Sequence, residues 1–238
     1  MCTVTFLPTG PDEFLFTSNR DEAPSRSAAA IQQQASGHKQ LIFPQDSLAK
    51  GTWIAVSDHN QLVCILNGAY KPHRHRPPYR LSRGIMALEF FQYEEARQFS
   101  EGFEFEGIEP FTMVIYDQGR LFDLRWDEEQ VHFNELNTAA PHIWSSSTLY
   151  YPDWQVKRQE WFQTWLDKQS TYTSKQTLDF HRHGGIGDPQ NDLVMNRFDM
   201  VCTTSITHVV KEATQATLKY HGLMSKQDTI RQISLVTS

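Results

Sequence analysis

Short apolar runs, paired around turn signals, are the feature that most restricts the fold of this chain. Cys2–Leu7 and Phe14–Ser18 flank Pro8–Pro11, a turn signal. Further sets are Trp53–Ser57 with Leu62–Leu66, Thr112–Tyr116 with Arg120–Trp126 and Val131–Phe133, and Thr203–Val210 with Ala216–Tyr220. Apolar runs joined by short turns are typical of antiparallel hairpins. The sequence therefore favours sheets that pair neighbouring segments.

Helical patterns occupy two of the intervals between these strands. Ser82 is placed to cap a helix that carries Ile85–Phe91, and Trp154–Leu166 has apolar residues at helical spacing. Hairpins with a few helices between them predict an α+β fold, in which layered sheets have helices outside. The chain has 238 residues and neither a repeat nor a low-complexity linker. Residues 1–238 are therefore predicted to form a single domain.

Composition excludes several classes of protein. The formal net charge of −6 argues against a nucleic-acid binder, which is usually basic. No apolar run approaches the length of a membrane span. The three cysteines, Cys2, Cys64 and Cys202, cannot all pair with one another and match no zinc spacing, which favours a reducing, cytoplasmic location. We expect no metal and no cofactor, and composition leaves the oligomeric state open, a homo-oligomer included.

The second residue is a candidate nucleophile. Initiator methionine is normally removed when a small residue follows, and this would leave Cys2 with a thiol and a free α-amine. An α-amine titrates near ~7.7–8.0 and a thiol near ~8.5, so the amine can take the proton of its own thiol. The alternative is that Cys2 is only a small residue at the start of a strand.

The polar segment Thr17–Glu22 follows the second predicted strand directly. If the first hairpin is right, Arg20 and Asp21 lie within reach of Cys2. An arginine lowers the pKa of a nearby thiol, and a carboxylate can hold an α-ammonium. The alternative is a polar loop whose charges pair and face water.

Four motifs in the first 90 residues resemble one family. They are Met1-Cys2, Ser18-Asn19-Arg20-Asp21-Glu22, Lys50-Gly51-Thr52-Trp53 with the later Leu66-Asn67, and Ser82-Arg83-Gly84. In this order they are similar to the Asn-Arg-Asp-Glu (NRDE) proteins, which include the transport-and-Golgi-organisation type. That family in turn resembles the choloylglycine hydrolases and penicillin V acylases. The resemblance implies an αββα sandwich, in which two antiparallel sheets lie between helical layers.

The resemblance also implies catalytic roles. Cys2 would be the nucleophile of an amidase, with its own amine as the base, and Asp21 would orient that amine. Arg20 would supply a nearby positive charge, although its spacing from Asp21 differs from that in the amidases. Asn67 falls where those enzymes place an oxyanion-hole donor.

Two positions depart from the amidases. Ser146 stands where they have a second asparagine, and a hydroxyl is a shorter donor than an amide. Cys202 or Thr203 stands where they have a late arginine. These departures bear on activity rather than on the fold.

Other residues are expected to line or rim the pocket. Asn19, Glu22 and Trp53 come from the matching motifs and are predicted to contact substrate. Arg74 and Arg76 lie in the basic segment 71–80, which follows Asn67 closely and could capture an anion. The alternative for that segment is a solvated loop stiffened by proline, and His181–Asp188 is read as a mobile glycine loop rather than a phosphate or metal site.

Two functions stay open from the sequence. The first is an N-terminal cysteine hydrolase that cleaves the carbon–nitrogen amide bond of a small anionic or acylated molecule. The second is a non-enzymatic carrier of a hydrophobic anionic ligand such as haem or an acyl lipid. The two altered positions make the second function credible. In both cases the partner is a small molecule.

Overall fold

The computed structural model describes residues 3–26 and 30–236 of the chain. The strands in this part of the chain are β1 (Thr3–Gly10), β2 (Glu13–Glu22), β3 (Ile31–Ser36), β4 (Lys39–Pro44), β5 (Ile54–Ser57), β6 (Gln61–Asn67), β7 (Phe111–Asp117), β8 (Arg120–Trp126), β9 (Val131–Leu136), β10 (His142–Ser145), β11 (Asn196–Arg197), β12 (Val201–Lys211), β13 (Gln215–Gly222) and β14 (Asp228–Ser234). The helices there are α1 (Arg83–Glu89), α2 (Ala96–Gly102), α3 (Pro152–Leu166) and α4 (Ser174–His183). None of them is long and apolar enough to cross a membrane.

These strands form two antiparallel sheets of seven strands each. The second sheet, β3 to β9, is a meander in which each strand pairs with the next in sequence. The first sheet runs β10-β1-β2-β12-β13-β14, and β11 pairs with β12. Strands from both ends of the chain therefore meet in the first sheet, with β2 between β1 and β12.

Three apolar clusters define the layers. The largest is shared by the two sheets and includes Phe16 of β2 and Cys64 of β6. A second cluster joins the other face of the second sheet to Met86 and Phe99 of α1 and α2. A third joins Leu15 of β2 to the aromatic residues of α3 and α4. The order helix, sheet, sheet, helix is the predicted αββα sandwich.

The predicted hairpins are confirmed, with differences at their ends. β1 runs past Pro8 to Gly10, and the turn comes later, at Asp12 with φ 55°. Proline lacks the N–H that a neighbouring strand would accept from. It is tolerated here because β10 pairs with β1 only from Thr3 to Phe6, so Pro8 has no strand neighbour on that edge. β2 runs to Glu22 because β12 pairs with it along its length. The segment Asn19–Glu22 is therefore strand and not a solvated loop.

Candidate active site

A cavity of about 520 Å³ opens at the end of the sandwich where β2 and β6 finish. Its walls come from several separate segments of the chain. They include Arg20, Glu22, Arg26, Asp46, Gly51, Thr52, Trp53, Ile65, Asn67, His75, Tyr79, Leu81, Ser82, Arg83, Gly84 and Glu109. Three arginines and three carboxylates therefore face one space beside Trp53, Ile65 and Leu81. Such a cavity suits a compact ligand that carries polar or charged groups.

Two of the sequence motifs meet in the cavity wall. The Thr52 N–H donates to the Gly84 carbonyl at 3.0 Å, so the strand that starts after Trp53 is tied to the start of α1. The backbones approach so closely that a Cβ on Gly51 would lie 2.4 Å from the Gly84 carbonyl carbon. Ser82 caps α1 by accepting from the Ile85 N–H at 3.2 Å. Glycine is needed at both positions because any side chain would separate the two segments.

Arg20 lies on the cavity face of β2. Its guanidinium stacks over the Trp53 ring at 4.4 Å and forms an ion pair with Asp46 at 2.5 Å. Burial lowers the pKa of Arg20, and the charges of Glu22 and Asp46 oppose that shift. The arginine is thus a fixed positive charge in the wall.

Asp46 joins this arginine to a second one. Arg26 contacts Asp46 at 2.9 Å and Glu22 at 2.8 Å. Burial disfavours the Asp46 carboxylate, but hydrogen bonds from the Ala49 and Leu48 N–H groups and the charge of Arg20 leave its pKa lowered. Asp46 belongs to none of the sequence motifs. Only the fold brings its carboxylate into contact with the two arginines.

Asp21 and Asn19 lie on the opposite face of β2. Tyr150 Oη donates to Asp21 Oδ2 at 3.0 Å, and Thr203 Oγ1 donates to Asp21 Oδ1 at 2.5 Å. Asn19 binds His181 of α4 through its side-chain oxygen at 2.6 Å and is fully buried. The structure therefore does not bring Asn19 into the cavity, because side chains alternate along a strand and Arg20 takes the cavity face.

Asn67 ends β6 and lines the cavity. Its side-chain amide has no hydrogen-bond partner among residues 3–26 and 30–236. Ser146 lies next to it but does not line the cavity, and its Oγ donates to the Asn67 backbone carbonyl at 2.8 Å. Ser146 therefore holds the end of β6 in place instead of presenting its hydroxyl to a ligand.

The basic segment 71–80 rims the cavity through His75 and Tyr79. Arg74 and Arg76 are exposed and do not line it. The segment is anchored at Glu109, which accepts from His73 at 3.0 Å and His75 at 3.1 Å.

Arg83 reaches the other Glu109 oxygen at 2.8 Å. Burial disfavours ionised Glu109, yet Arg83 and the two histidines of the anchor hold its pKa below the usual range. The Ser82-Arg83-Gly84 motif could have signalled the role of Arg83, whereas Glu109 carries no signal in the sequence.

Cys2, the predicted nucleophile, lies outside the described residues. The two described cysteines are both buried. Burial raises the pKa of each thiol, and Asp199 and Asp21 add to the effect at Cys202. Between β12 and β2, Cys202 pairs with Glu22 and Thr203 pairs with Asp21. The two residues that align with the late arginine of the amidases therefore lie beside the site.

No group of His, Cys, Asp and Glu suited to a metal ion occurs in the described part of the chain.

The family model described as Transport and Golgi organisation 2 matches residues 1–226. No curated protein is significantly similar in sequence. Solved structures do match.

Two variants of conjugated bile acid hydrolase from Clostridium perfringens are 11% and 10% identical, with TM-scores of 0.55 and 0.53. Each match covers 100% of this chain and 97% of the other. A Caenorhabditis elegans ortholog of N-acylethanolamine-hydrolysing acid amidase is 9% identical, with a TM-score of 0.51, over 88% of this chain and 92% of that one. These similarities establish an Ntn-hydrolase-like fold.

Proposed function

This chain belongs to the Transport and Golgi organisation 2 family, and from that premise we propose that it is an N-terminal cysteine amidohydrolase. The observation that carries the proposal is the environment of Asp21. Asp21 is 2% exposed and its carboxylate accepts from two neutral hydroxyls, while no Lys, Arg or His among the described residues forms an ion pair with it. A buried carboxylate normally requires a cation. The α-ammonium of Cys2 is the cation that the proposal supplies.

The register of the first hairpin supports this assignment. Thr3 pairs with Asn19, the residue before Arg20. Thr3, the residue after Cys2 in the sequence, therefore lies at the end of the first hairpin that carries Arg20 and Asp21. This is the end at which Arg20 lines the cavity.

The proposed reaction has two steps. The α-amine takes the thiol proton and so becomes the ammonium that Asp21 would neutralise. The sulfur attacks the amide carbonyl, and the ammonium protonates the departing amine as the carbon–nitrogen bond breaks. Water then hydrolyses the thioester and restores the thiol and the amine. The Asn67 amide, which has no hydrogen-bond partner among the described residues, would donate to the oxyanion, a contribution of about 2.7–4 kcal/mol in other enzymes.

The walls of the cavity favour a small amide that carries a charged group. Arg20, Arg26 and Arg83 would bind an anionic part of the substrate, while Trp53 and Ile65 offer apolar contact to an acyl part. The carrier alternative, with haem or an acyl lipid as ligand, fits these walls less well. A large apolar ligand would desolvate several ion pairs without replacing their hydrogen bonds.

The test is trapping of an acyl-enzyme. Purified protein, whose intact mass shows that Met1 is absent, is incubated with a panel of N-acyl amino acids and N-acyl amines. We expect an acyl adduct on the N-terminal peptide that hydroxylamine removes. Cys2→Ala should abolish both the adduct and turnover.

Two controls separate the thiol from its surroundings. Cys202→Ser removes a buried thiol near the site and should keep turnover. A form with Gly-Ser ahead of Cys2 keeps the thiol but converts the amine to an amide, and should lose turnover. Undiminished hydrolysis by Cys2→Ala would refute the proposal, and a Soret shift on adding haem that survives this change would favour the carrier.

A further inference from the structure

The carboxylates that line the cavity have little hydrogen-bonding capacity left for a ligand. Asp46 Oδ1 accepts from the Leu48 and Ala49 N–H groups at 2.9 Å and 2.8 Å. Its Oδ2 accepts from Arg20 at 2.5 Å and from Arg26 at 2.9 Å. A carboxylate has about four acceptor sites, so those of Asp46 are all occupied.

The other two carboxylates of the cavity are also held by their neighbours. Glu109 accepts from two histidines of the segment 71–80 through one oxygen, at 3.0 Å and 3.1 Å, and from Arg83 at 2.8 Å through the other. Glu22 accepts from Arg26 at 2.8 Å and from the N–H of the next residue at 3.0 Å. A ligand group that only donates hydrogen bonds would therefore find few acceptors in this cavity.

Arg26 and Arg83, by contrast, have unused donors. Each guanidinium has five N–H groups. Arg26 uses one N–H on each Nη atom, for Glu22 and Asp46. Arg83 likewise uses one on each Nη atom, for Glu109 and a backbone carbonyl. Their other N–H groups have no partner in the described part of the chain, so the free hydrogen-bonding capacity of this wall is mainly that of donors.

The electrostatic balance of the cavity supports the same conclusion. Burial lowers the pKa of Arg83, and the charge of Glu109 opposes this shift while that of Arg26 adds to it. Asp46 and Glu109 keep pKa values below their usual range although burial opposes this. The carboxylates are therefore well compensated and the arginines are not. An added negative charge beside the two arginines would be favoured.

The charged and apolar walls lie at different depths in the cavity. The side chains of Arg26 and Arg83 are 36% and 17% exposed, so they lie toward the mouth. Trp53 and Ile65 are 5% and 4% exposed and form part of the inner wall. A ligand bound here would have its anionic end at the mouth and its apolar end against the tryptophan.

We propose that Arg26 and Arg83 are specificity-determining residues that select an amide whose outer end carries two negative charges, as two carboxylates or as one phosphate. The inference rests on the proposed function, since it names the substrate class of the same cavity. Arg26 follows β2 and Arg83 begins α1, so the two guanidiniums reach the mouth from different elements. An arginine pairs with two oxygens of a carboxylate or phosphate at a time, and a single carboxylate would satisfy only one of the two arginines.

The experiment compares three probes by calorimetry at about pH 8, where a phosphate monoester is a dianion because its second pKa is about 6. They are N-hexanoylglutamate, its monoanionic analogue N-hexanoylglutamine, and N-hexanoyl-3-aminopropyl phosphate. The full chain carries Cys2→Ala so that no probe is consumed, and the ionic strength is constant. We expect at least one dianion to bind about tenfold or more tightly than N-hexanoylglutamine, because it adds charge-assisted hydrogen bonds. The tighter dianion identifies the head group.

Matched variants locate the effect. Arg26→Gln and Arg83→Gln should each reduce the preference for the dianion by about tenfold. Arg76→Gln removes the same charge from an exposed side chain that does not line the cavity, and it should leave the preference unchanged. If Arg83→Gln does not fold, Arg26→Gln still decides, because its side chain is the more exposed of the two.

Three results would overturn the proposal. They are equal affinities for all three probes, no binding of any probe, and an equal loss of preference in Arg76→Gln, which would assign the effect to net charge. Each of them leaves the chemistry of the thiol untouched, because acyl trapping tests that chemistry separately. A preference for the dianion without any acyl adduct would refute the hydrolase and leave the anion-binding site in place.

Discussion

Two histidines buried between α4 and the first sheet should make this protein unstable in mild acid. His181 contacts Thr5 Oγ1 at 2.8 Å and Asn19 Oδ1 at 2.6 Å, and His208 contacts Thr17 Oγ1 at 2.8 Å and Ser174 Oγ at 3.0 Å. Burial lowers the pKa of each to about 3.

The direction of the effect follows from linkage. Each folded pKa lies below the unfolded value of about 6.5, so the unfolded chain binds more protons. The stabilisation is complete above about pH 6.5 and is lost as the pH falls from there toward 3. Between pH 7 and pH 5 each histidine costs about 2 kcal/mol of unfolding free energy, or about 4 kcal/mol for the pair. Domains typically have about 5–15 kcal/mol in total, so the loss is large.

The assay is urea unfolding followed by tryptophan fluorescence at pH 7 and pH 5. We expect the midpoint to fall sharply at pH 5 with little change in slope. The double variant His181→Gln/His208→Gln keeps hydrogen-bonding side chains but cannot be protonated, and it should lose most of the pH dependence. A loss below about 1 kcal/mol in the wild type, or an unchanged pH dependence in the double variant, would refute the reasoning.

Two further predictions concern the cavity walls. Gly51→Ala should lower the free energy of unfolding by about 1–3 kcal/mol, because the added Cβ meets the backbone of Gly84. Thermal unfolding measures the change. The control is Gly102→Ala, whose Cβ would make an ordinary contact with Tyr93, and equal losses of stability in the two variants would contradict the argument. Glu109→Gln should loosen the segment 71–80 by weakening its contacts with His73 and His75, so that trypsin cleaves there faster in limited proteolysis than in the wild type. An unchanged cleavage rate would show that other contacts hold the segment.

The sequence predicted the fold because its signals are local. Hairpin turns and apolar strands depend on nearby residues, and the capping residue Ser82 marks the start of α1 correctly. The residues of the predicted strand Leu62–Leu66 divide between the two apolar clusters on either side of the second sheet. The two strands between Ile31 and Pro44 were missed because β3 alternates weakly and carries several exposed glutamines.

The site was predicted in part. Arg20, Glu22, Trp53 and Asn67 do converge on one cavity, although they come from three separate stretches of sequence. Arg74 and Arg76 seemed suited to hold an anion, but the cavity uses His75 and Tyr79 of that segment instead. Which side of a loop faces inward depends on its anchor, and the anchor Glu109 is distant in sequence.

By itself the sequence determined the type and order of most helices and strands. It also indicated a candidate nucleophile and the strand that follows it. Both come from turns, strand periodicity and short motifs, which are properties of neighbouring residues. Only the tertiary structure decided which face of β2 meets the cavity. Arg20 and Asp21 are adjacent in sequence and point to opposite sides, one to Asp46 and Trp53, the other to Tyr150 and Thr203. Those partners are brought together by sheet pairing and helix packing across most of the chain, and such long-range contacts leave no local pattern.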